Sequence, residues 1–423
     1  MITPAWTQFK PHPIQQAAWL CPKRFVAIPA GRGSGKTELA KRRLVRFLPV
    51  RKPWPDPRYF YGAPTRQQAK RIAWDALRAL IPPVWVAEES VSELRIKTCF
   101  NSTIFIVGLD EPARIEGDQW DGCVLDESCD LRPKTFDLSV APALAWRNGW
   151  CWRIGVPKRQ GPSAVEFREC FEKAITSESD WAGFTWPSSD ILSPETLAYA
   201  REQLDALDYA EQFDARFQNA SGGIFHAFKR EYNVRPCTYY SDKPVIIGMD
   251  FNVDPMAWIL GHVIENRMEW FDEIWQRNTN TPRSLEILCQ RYAHHRGGFQ
   301  LYPDASGTQR KTSAARSDLQ LIASHEVLQS LGRTMHVAPS NPPVDDRFAV
   351  TNALLCNANG ERRMYFDSRC VHTINDFESR YYRPGTREAA DTGDLGHASD
   401  AVGYAVWRLF PLCAPHLSQV VVV

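Results

Sequence analysis

One segment limits what this chain can fold into more than any other: Ala30-Gly31-Arg32-Gly33-Ser34-Gly35-Lys36-Thr37. An apolar run, Phe25-Val26-Ala27-Ile28, comes before it, and Leu39, Ala40, Leu44, Val45 and Leu48 recur after it at helical spacing. The order is strand, glycine loop, helix. Such a loop cradles phosphate: small residues let successive backbone N–H groups surround the oxygens, a lysine reaches the outer phosphates, and a hydroxyl faces magnesium. Ala30 replaces the first glycine of the G-x-x-x-x-G-K-[ST] string, and the rest is intact. Gly33, Ser34, Gly35, Lys36 and Thr37 are the expected contacts to ATP and Mg2+, with Thr37 as the hydroxyl at the metal.

The alternation of strand and helix continues beyond the loop. Tyr59-Phe60-Tyr61 leads through Ala63-Pro64-Thr65 into a helix carrying Ile72, Ala76, Leu77 and Leu80 on one face. Further strands are expected at residues 94–98, 103–107, 122–125 and 151–156, as in an open α/β sheet with largely parallel strands. Cys123-Val124-Leu125-Asp126-Glu127 is a buried-strand run ending in two acids. Asp126 would hold the metal's water shell and Glu127 would polarise the attacking water; an acid pair that merely caps a strand end is the alternative. A hydrolytic site also needs a cation near the transferring phosphate, and Arg32 and Arg114 are the candidates, each equally suited to a surface ion pair. Gln15 precedes the first strand by a distance that suits hydrogen bonding to an adenine edge.

At 423 residues the chain exceeds what one core supports, so two domains are expected. The rhythm breaks over residues 160–235, where Ser193-Pro194 and Gly222-Gly223 punctuate helical stretches, as in a lid and linker. The expected division is 1–180, 181–238 and 239–423. From Pro244 the pattern changes to three strands with short turns, at 245–251, 256–263 and 268–275: an antiparallel meander. A helix opening at Thr281-Pro282, with Thr281 as N-cap, then a strand at 299–302 and a final long helix from His397 to Leu409 follow.

Asp250 falls inside the first of these strands, Asp304 at the end of the fourth, and Asp400 in the last helix. Burying an acid among apolar residues is costly without a partner, and a divalent cation shared by several carboxylates supplies one. Two such ions about 4 Å apart activate a water and stabilise the leaving oxygen of a phosphodiester. Mg2+ or Mn2+ would serve. This layout resembles the ribonuclease H-like nuclease fold; three unrelated acids at element ends are the plainer reading. Asp254, Asp391, Asp394 and His397 are nearby alternates.

Composition excludes more than it assigns. Hydrophobic residues at 44% and charged residues at 23% exclude disorder. The 50 Lys and Arg offset 49 Asp and Glu, so any polyanion contact must be local. Short basic clusters, such as Lys41-Arg42-Arg43, Lys158-Arg159 and Arg310-Lys311, are more often solvated helix faces than phosphate tracks. The 11 cysteines form no Cys-x-x-Cys pair, which fits neither a disulfide framework nor a zinc site. No apolar run of about 18 residues appears, and Met1 to Trp6 lacks a targeting pattern, so no membrane role is expected.

The glycine loop, Ala63-Pro64-Thr65, Asp126-Glu127, Gly155-Val156-Pro157-Lys158, Asp250, Tyr302-Pro303-Asp304 and His397-Ala398-Ser399-Asp400-Ala401 occur in the order of the motifs of tailed-phage large terminases. Over nearly its whole length the chain resembles that family. The resemblance implies an α/β architecture: an N-terminal P-loop ATPase sheet of the ASCE type, then a C-terminal ribonuclease H-like nuclease domain. It implies ATP-driven translocation of double-stranded DNA into a procapsid and metal-dependent cleavage of concatemeric DNA. Lys36, Thr37, Asp126 and Glu127 then carry over as ATPase residues, Ile154-Gly155-Val156 as the segment coupling hydrolysis to movement, and Asp250, Asp304 and Asp400 as metal ligands. Val156 departs from the small hydroxyl residue common at its position, and the arginine acting on phosphate comes from a neighbouring subunit in several members, a role Arg114 fits by position. Implied partners are a portal protein, a small terminase subunit and further copies in a ring, a pentamer by family precedent. The implied location is the host cytoplasm, with docking on the procapsid and absence from the mature virion. A P-loop helicase with a second recombinase-like sheet, and a nucleotide-switched assembly protein that cleaves nothing, are the competing readings.

Overall fold

The computed structural model describes residues 5–176, 180–218, 223–308, 316–383, 388–390 and 393–411. It divides into two compact units, Met1–Leu197 with Ala210–Ala220, and Ala198–Tyr209 with Ser221–Val423. Among the described residues no helix is long and apolar enough to cross a membrane.

The first unit is built on eight strands: β1 (Phe25–Pro29), β2 (Arg58–Ala63), β3 (Val86–Ser90), β4 (Arg95–Thr98), β5 (Thr103–Gly108), β6 (Gly122–Leu125), β7 (Trp150–Gly155) and β8 (Trp181–Gly183). They lie in the order β3-β4-β5-β2-β6-β7-β1-β8. All neighbours from β5 to β8 run parallel, while β3 and β4 add an antiparallel edge. The central strands read as continuous apolar runs because both faces are covered. Tyr59 and Tyr61 pack with Leu39, Leu44 and Trp152 on one face, and Phe60 packs with Trp120, Leu125 and Phe136 on the other. The exposed residues of β3, an edge strand, gave no such signal. Strand β8 lies in the interval that was expected to be lid and linker, yet it pairs with Phe25 to Ala27 at the edge of this sheet.

The second unit carries β9 (Val245–Asp250), β10 (Met256–Ile264), β11 (Arg267–Gln276), β12 (Phe299–Pro303), β13 (Arg333–Met335) and β14 (Met364–Phe366), in the order β13-β12-β9-β10-β11-β14. The meander β9-β10-β11 is antiparallel, β12 is parallel to β9, and β13 is parallel to β12. That is ribonuclease H-like topology, and it removes the helicase reading, which requires a second parallel recombinase-like sheet. One capping expectation is corrected. Asn280, not Thr281, caps the helix Thr281–Arg291, accepting from Arg283 N at 3.0 Å. Both residues can cap, but the Thr281 hydroxyl is taken by Asp318 at 2.6 Å.

The helix His397–Leu409 crosses β9 at Gly248, where a Cβ would lie 2.0 Å from the Ala401 carbonyl oxygen. This close approach brings the helix that carries Asp400 down onto the strand that carries Asp250. Gly248→Ala is expected to destabilise the protein by about 1–3 kcal/mol, the usual cost of overpacking. Urea unfolding followed by tryptophan fluorescence would check it, and an unchanged midpoint would contradict the packing described.

Candidate functional site

Two constellations lie at strand tips. In the first unit β1 runs into the glycine loop, where Gly33 (φ 69°) and Gly35 (φ 76°) occupy the left-handed region that lets the chain turn into the helix Lys36–Phe47. The helix therefore opens at the loop, with its free N–H groups directed there. Lys36 is buried and donates to Gly31 O at 3.3 Å. Burial lowers its pKa, against the opposing pull of Glu127 and Asp126. The Thr37 hydroxyl donates to Asp126 Oδ2 at 2.9 Å, the Tyr61 hydroxyl donates to the same oxygen, and Asp126 Oδ1 accepts from Glu127 N at 2.8 Å. Strand β6 and the loop thus place the hydroxyl and the carboxylate expected at magnesium side by side.

Glu127 follows with φ 51° and ψ 48°, a left-handed conformation that costs a non-glycine residue about 1 kcal/mol or more. Its pKa is raised by burial first and by Asp126 second, while Lys36 and Lys158 oppose. A half-buried carboxylate held at such a turn, with cations nearby, suits the task of accepting a proton from water. Lys158 was read from the sequence only as part of a basic cluster and a family motif; here it is near enough to act on both Glu127 and Lys36, and it pairs with Asp130. The segment before it touches the loop directly, Gly155 O accepting from Ala30 N at 3.0 Å.

Gln15 is buried, and its side-chain amide donates to Ser34 O at 3.0 Å while its Oε1 accepts from His12 N at 3.4 Å. It braces the loop in this way. Trp186 Nε1 donates to the same Ser34 oxygen at 2.8 Å, and the Ser188 hydroxyl donates to Arg32 O at 2.7 Å. No pattern in the sequence pointed to Trp186 or Ser188. The Ser34 hydroxyl is buried without a partner among the described residues. Arg32 is exposed and acts electrostatically on Lys36. Arg114 is exposed too, paired with Glu111 at 2.8 Å and Asp110 at 3.6 Å, and it lines a cleft of about 290 Å3 with Arg66, Asp118 and Trp120. No hydrogen bond or ion pair joins Arg114 to Lys36, Asp126 or Glu127 among the described residues.

In the second unit β9 and β12 are parallel neighbours with Met249 opposite Pro303, so Asp250 and Asp304 sit at adjacent strand tips; Asp304 N donates to Met249 O at 2.9 Å. Both acids are buried. Asp304 accepts from Ser306 N at 2.9 Å, from Asn341 Nδ2 at 2.6 Å and from the Ser306 hydroxyl. Asp250 accepts from His397 Nδ1 at 2.8 Å. Burial raises the Asp250 pKa, and Asp400 and Asp304 add to the rise while His397 opposes it. The hydrogen bond to Asp250 in turn raises the pKa of His397.

Asp400 is compensated differently. It accepts from Arg347 Nη1 at 2.8 Å, Arg380 Nη1 at 3.0 Å and Arg380 Nη2 at 3.1 Å. Burial would raise its pKa, but Arg380 and then Arg347 outweigh that and hold it below the usual range. The structure therefore gathers all three acids expected as ligands but leaves Asp400 engaged, and no cluster of three His, Cys, Asp or Glu side chains suited to a metal occurs among the described residues. Asp250 and Asp304 fit a divalent cation by their chemistry: buried carboxylates on adjacent tips, one of them opposed among the described residues only by a histidine. Such an ion supplies activation of water and charge stabilisation at phosphorus. Asp254 and Asp394 share Arg277 at the surface, His397 positions Asp250, and Asp391 and the Arg310-Lys311 cluster lie outside the described residues.

A parallel sheet with a phosphate loop beside an acid-tipped strand, followed by a ribonuclease H-like sheet, defines a P-loop nucleotide-binding unit joined to a nuclease-type unit. Among solved structures the chain is similar to the large terminase of a thermophilic bacteriophage, with TM-score 0.60 and 15% identity over 95% of this chain and 99% of that one. It is similar also to the ADP complex of that protein, at TM-score 0.58, 15% identity and coverage of 94% and 99%. The ATP-gamma-S complex matches at TM-score 0.57, 16% identity and coverage of 93% and 98%. No protein-family model and no curated protein matches the sequence. The chain has the fold of the phage large terminase subunit.

Asp250 and Asp400 are expected to respond oppositely to neutralisation. The folded pKa of Asp250 is raised, so its charge opposes folding and stability falls as pH rises through its titration range. The pKa of Asp400 is lowered, so its contribution is present above the unfolded pKa and is lost as pH falls through the folded one. At pH 7 in EDTA, Asp250→Asn should raise the melting temperature, whereas Asp400→Asn should cost on the order of 3 kcal/mol by leaving two buried guanidinium groups unbalanced. Thermal melts of both variants would check this, and a shift of the same sign in both would contradict it.

Proposed function

We propose that this chain is a DNA-packaging enzyme that hydrolyses ATP to move double-stranded DNA into a procapsid and cuts concatemeric DNA with its second unit. The observation that carries the reading is the hydrogen bond from Thr37 to Asp126 beneath the glycine loop, on a chain that follows the large terminase fold over 95% of its length. Lys36, Thr37 and the loop backbone would hold ATP and Mg2+, Asp126 the metal's water shell, and Glu127 the attacking water. Arg32 and Lys158 are further cations near this chemistry, and Arg114, turned to its own acidic partners, suits action on a neighbouring subunit. Gln15 would steady Ser34 while the loop holds phosphate.

In the second unit Asp250 and Asp304 would hold Mg2+ or Mn2+, His397 would orient Asp250, and Asp400 would join as a further ligand. The division 1–180, 181–238 and 239–423 is retained as a functional one, with Trp186 and Ser188 in the lid over the loop. Partners of the family type, a portal protein, a small terminase subunit and further copies in a ring, follow from this reading, as does work in the host cytoplasm.

Lys36→Ala is expected to lower ATP turnover by about 100-fold or more, the scale of losing one charge stabiliser at a reacting phosphate, and Glu127→Gln by about 100- to 10,000-fold, the scale of a general base. A coupled phosphate-release assay on the full-length chain would read both. Parental turnover in the Lys36→Ala protein would remove the ATPase assignment.

A further inference from the structure

The arginine pair on Asp400 has no place in a three-carboxylate metal centre. Arg347 and Arg380 are both buried, and each lies over an aromatic ring, Arg347 at 4.6 Å from Tyr404 and Arg380 at 5.1 Å from Phe348. Arg380 also donates to Ser399 Oγ at 2.9 Å and to Gly396 O at 3.4 Å, so its guanidinium is held even without Asp400. The Nε of each arginine is buried with no partner among the described residues, so the pair is not a closed structural network of the kind that buried charges usually form. Arginine stays protonated in proteins, so these two charges do not switch off.

We propose that Arg347 and Arg380 form a latch on Asp400: they hold this carboxylate in the metal-free chain, and a divalent ion at Asp250 and Asp304 gains it as a ligand only by displacing them. This rests on the reading of Asp250 and Asp304 as a cation site. The latch counts two guanidinium groups against one carboxylate, so a cation approaching Asp400 meets net positive charge. The two strand-tip acids are free of arginine among the described residues, Asp250 pairing with His397 and Asp304 with Ser306 and Asn341. The site is therefore polarised into a half that attracts an ion and a half that resists one. The consequence is a weak affinity for the ion, set by the latch. Once displaced, the planar guanidinium forks are free to pair with a phosphodiester, the geometry they match best.

The test is an Mn2+ titration of the full-length chain without nucleotide, read by electron paramagnetic resonance, on the parent, Arg380→Gln, Arg347→Gln and Asp250→Asn. The Asp250→Asn protein identifies which binding belongs to this site. Each Arg→Gln change is expected to tighten that binding by about tenfold or more, the scale on which a neighbouring like charge acts. Mn2+ should also raise the melting temperature of these variants more than that of the parent. If Arg380→Gln does not fold, Arg347→Gln carries the test alone, since Arg347 makes none of the contacts to Ser399 or Gly396. Unchanged or weaker Mn2+ binding in both, with binding lost in Asp250→Asn, would overturn the latch and make the arginines supports for Asp400. Identical binding by the parent and Asp250→Asn would overturn the cation site and the latch with it.

Discussion

Burying a carboxylate at the tip of a β-strand is unfavourable unless something nearby compensates its charge, and both units are organised around how that is done. Asp126 takes hydrogen bonds from Thr37, Tyr61 and the backbone of Glu127. Asp304 takes hydrogen bonds from Ser306 and Asn341. Asp400 takes two arginines, and Asp250 takes one histidine. The gradation from satisfied to unsatisfied acid tells where a cation would be drawn. In the first unit the neighbouring Glu127 is the strained, perturbed group, and in the second it is Asp250. Perturbed acids in such positions mark chemistry more often than packing.

The two sheets reach this arrangement by different routes. In the first, parallel strands β1, β6 and β7 end on the same edge, so the glycine loop, Asp126 and Gly155 converge without any long side chain having to reach. Asp126 itself never leaves its strand tip, and the loop comes to it through Thr37. In the second, the parallel neighbours β9 and β12 carry two of the acids at their tips, and the third comes from a helix. Gly248 makes that possible by letting the Ala401 backbone come close to the strand. The acid delivered this way arrives with its own counter-charges, which is why the three carboxylates are not equivalent.

Much of this could be read from the sequence, for physical reasons that differ by element. Gly122–Leu125 and His397–Leu409 stood out because a strand covered on both faces is an unbroken apolar run and a packed helix has a 3.6-residue period. β3, β13 and β14 escaped notice because they are short edge strands, and β3 and β13 bury almost nothing. The cap at Asn280 was misplaced by one residue because two adjacent residues can each cap. Lys36, Thr37 and Asp126 were legible because their chemistry demands fixed spacing. Arg347, Arg380 and Trp186 were not: an arginine within a helix or just past its end reads as surface, and a tryptophan in a loop carries no period. Their roles come from tertiary contacts alone.

The most direct test of the account is cleavage of supercoiled plasmid by the full-length chain in EDTA, Mg2+ or Mn2+, with Asp250→Ala and Asp304→Ala proteins alongside. Cutting should need a divalent ion, tolerate any sequence and disappear in both variants. Undiminished cutting by either variant, or no cutting by the parent under any ion, would contradict a nuclease centre at the tips of β9 and β12 and leave only a nucleotide-driven motor.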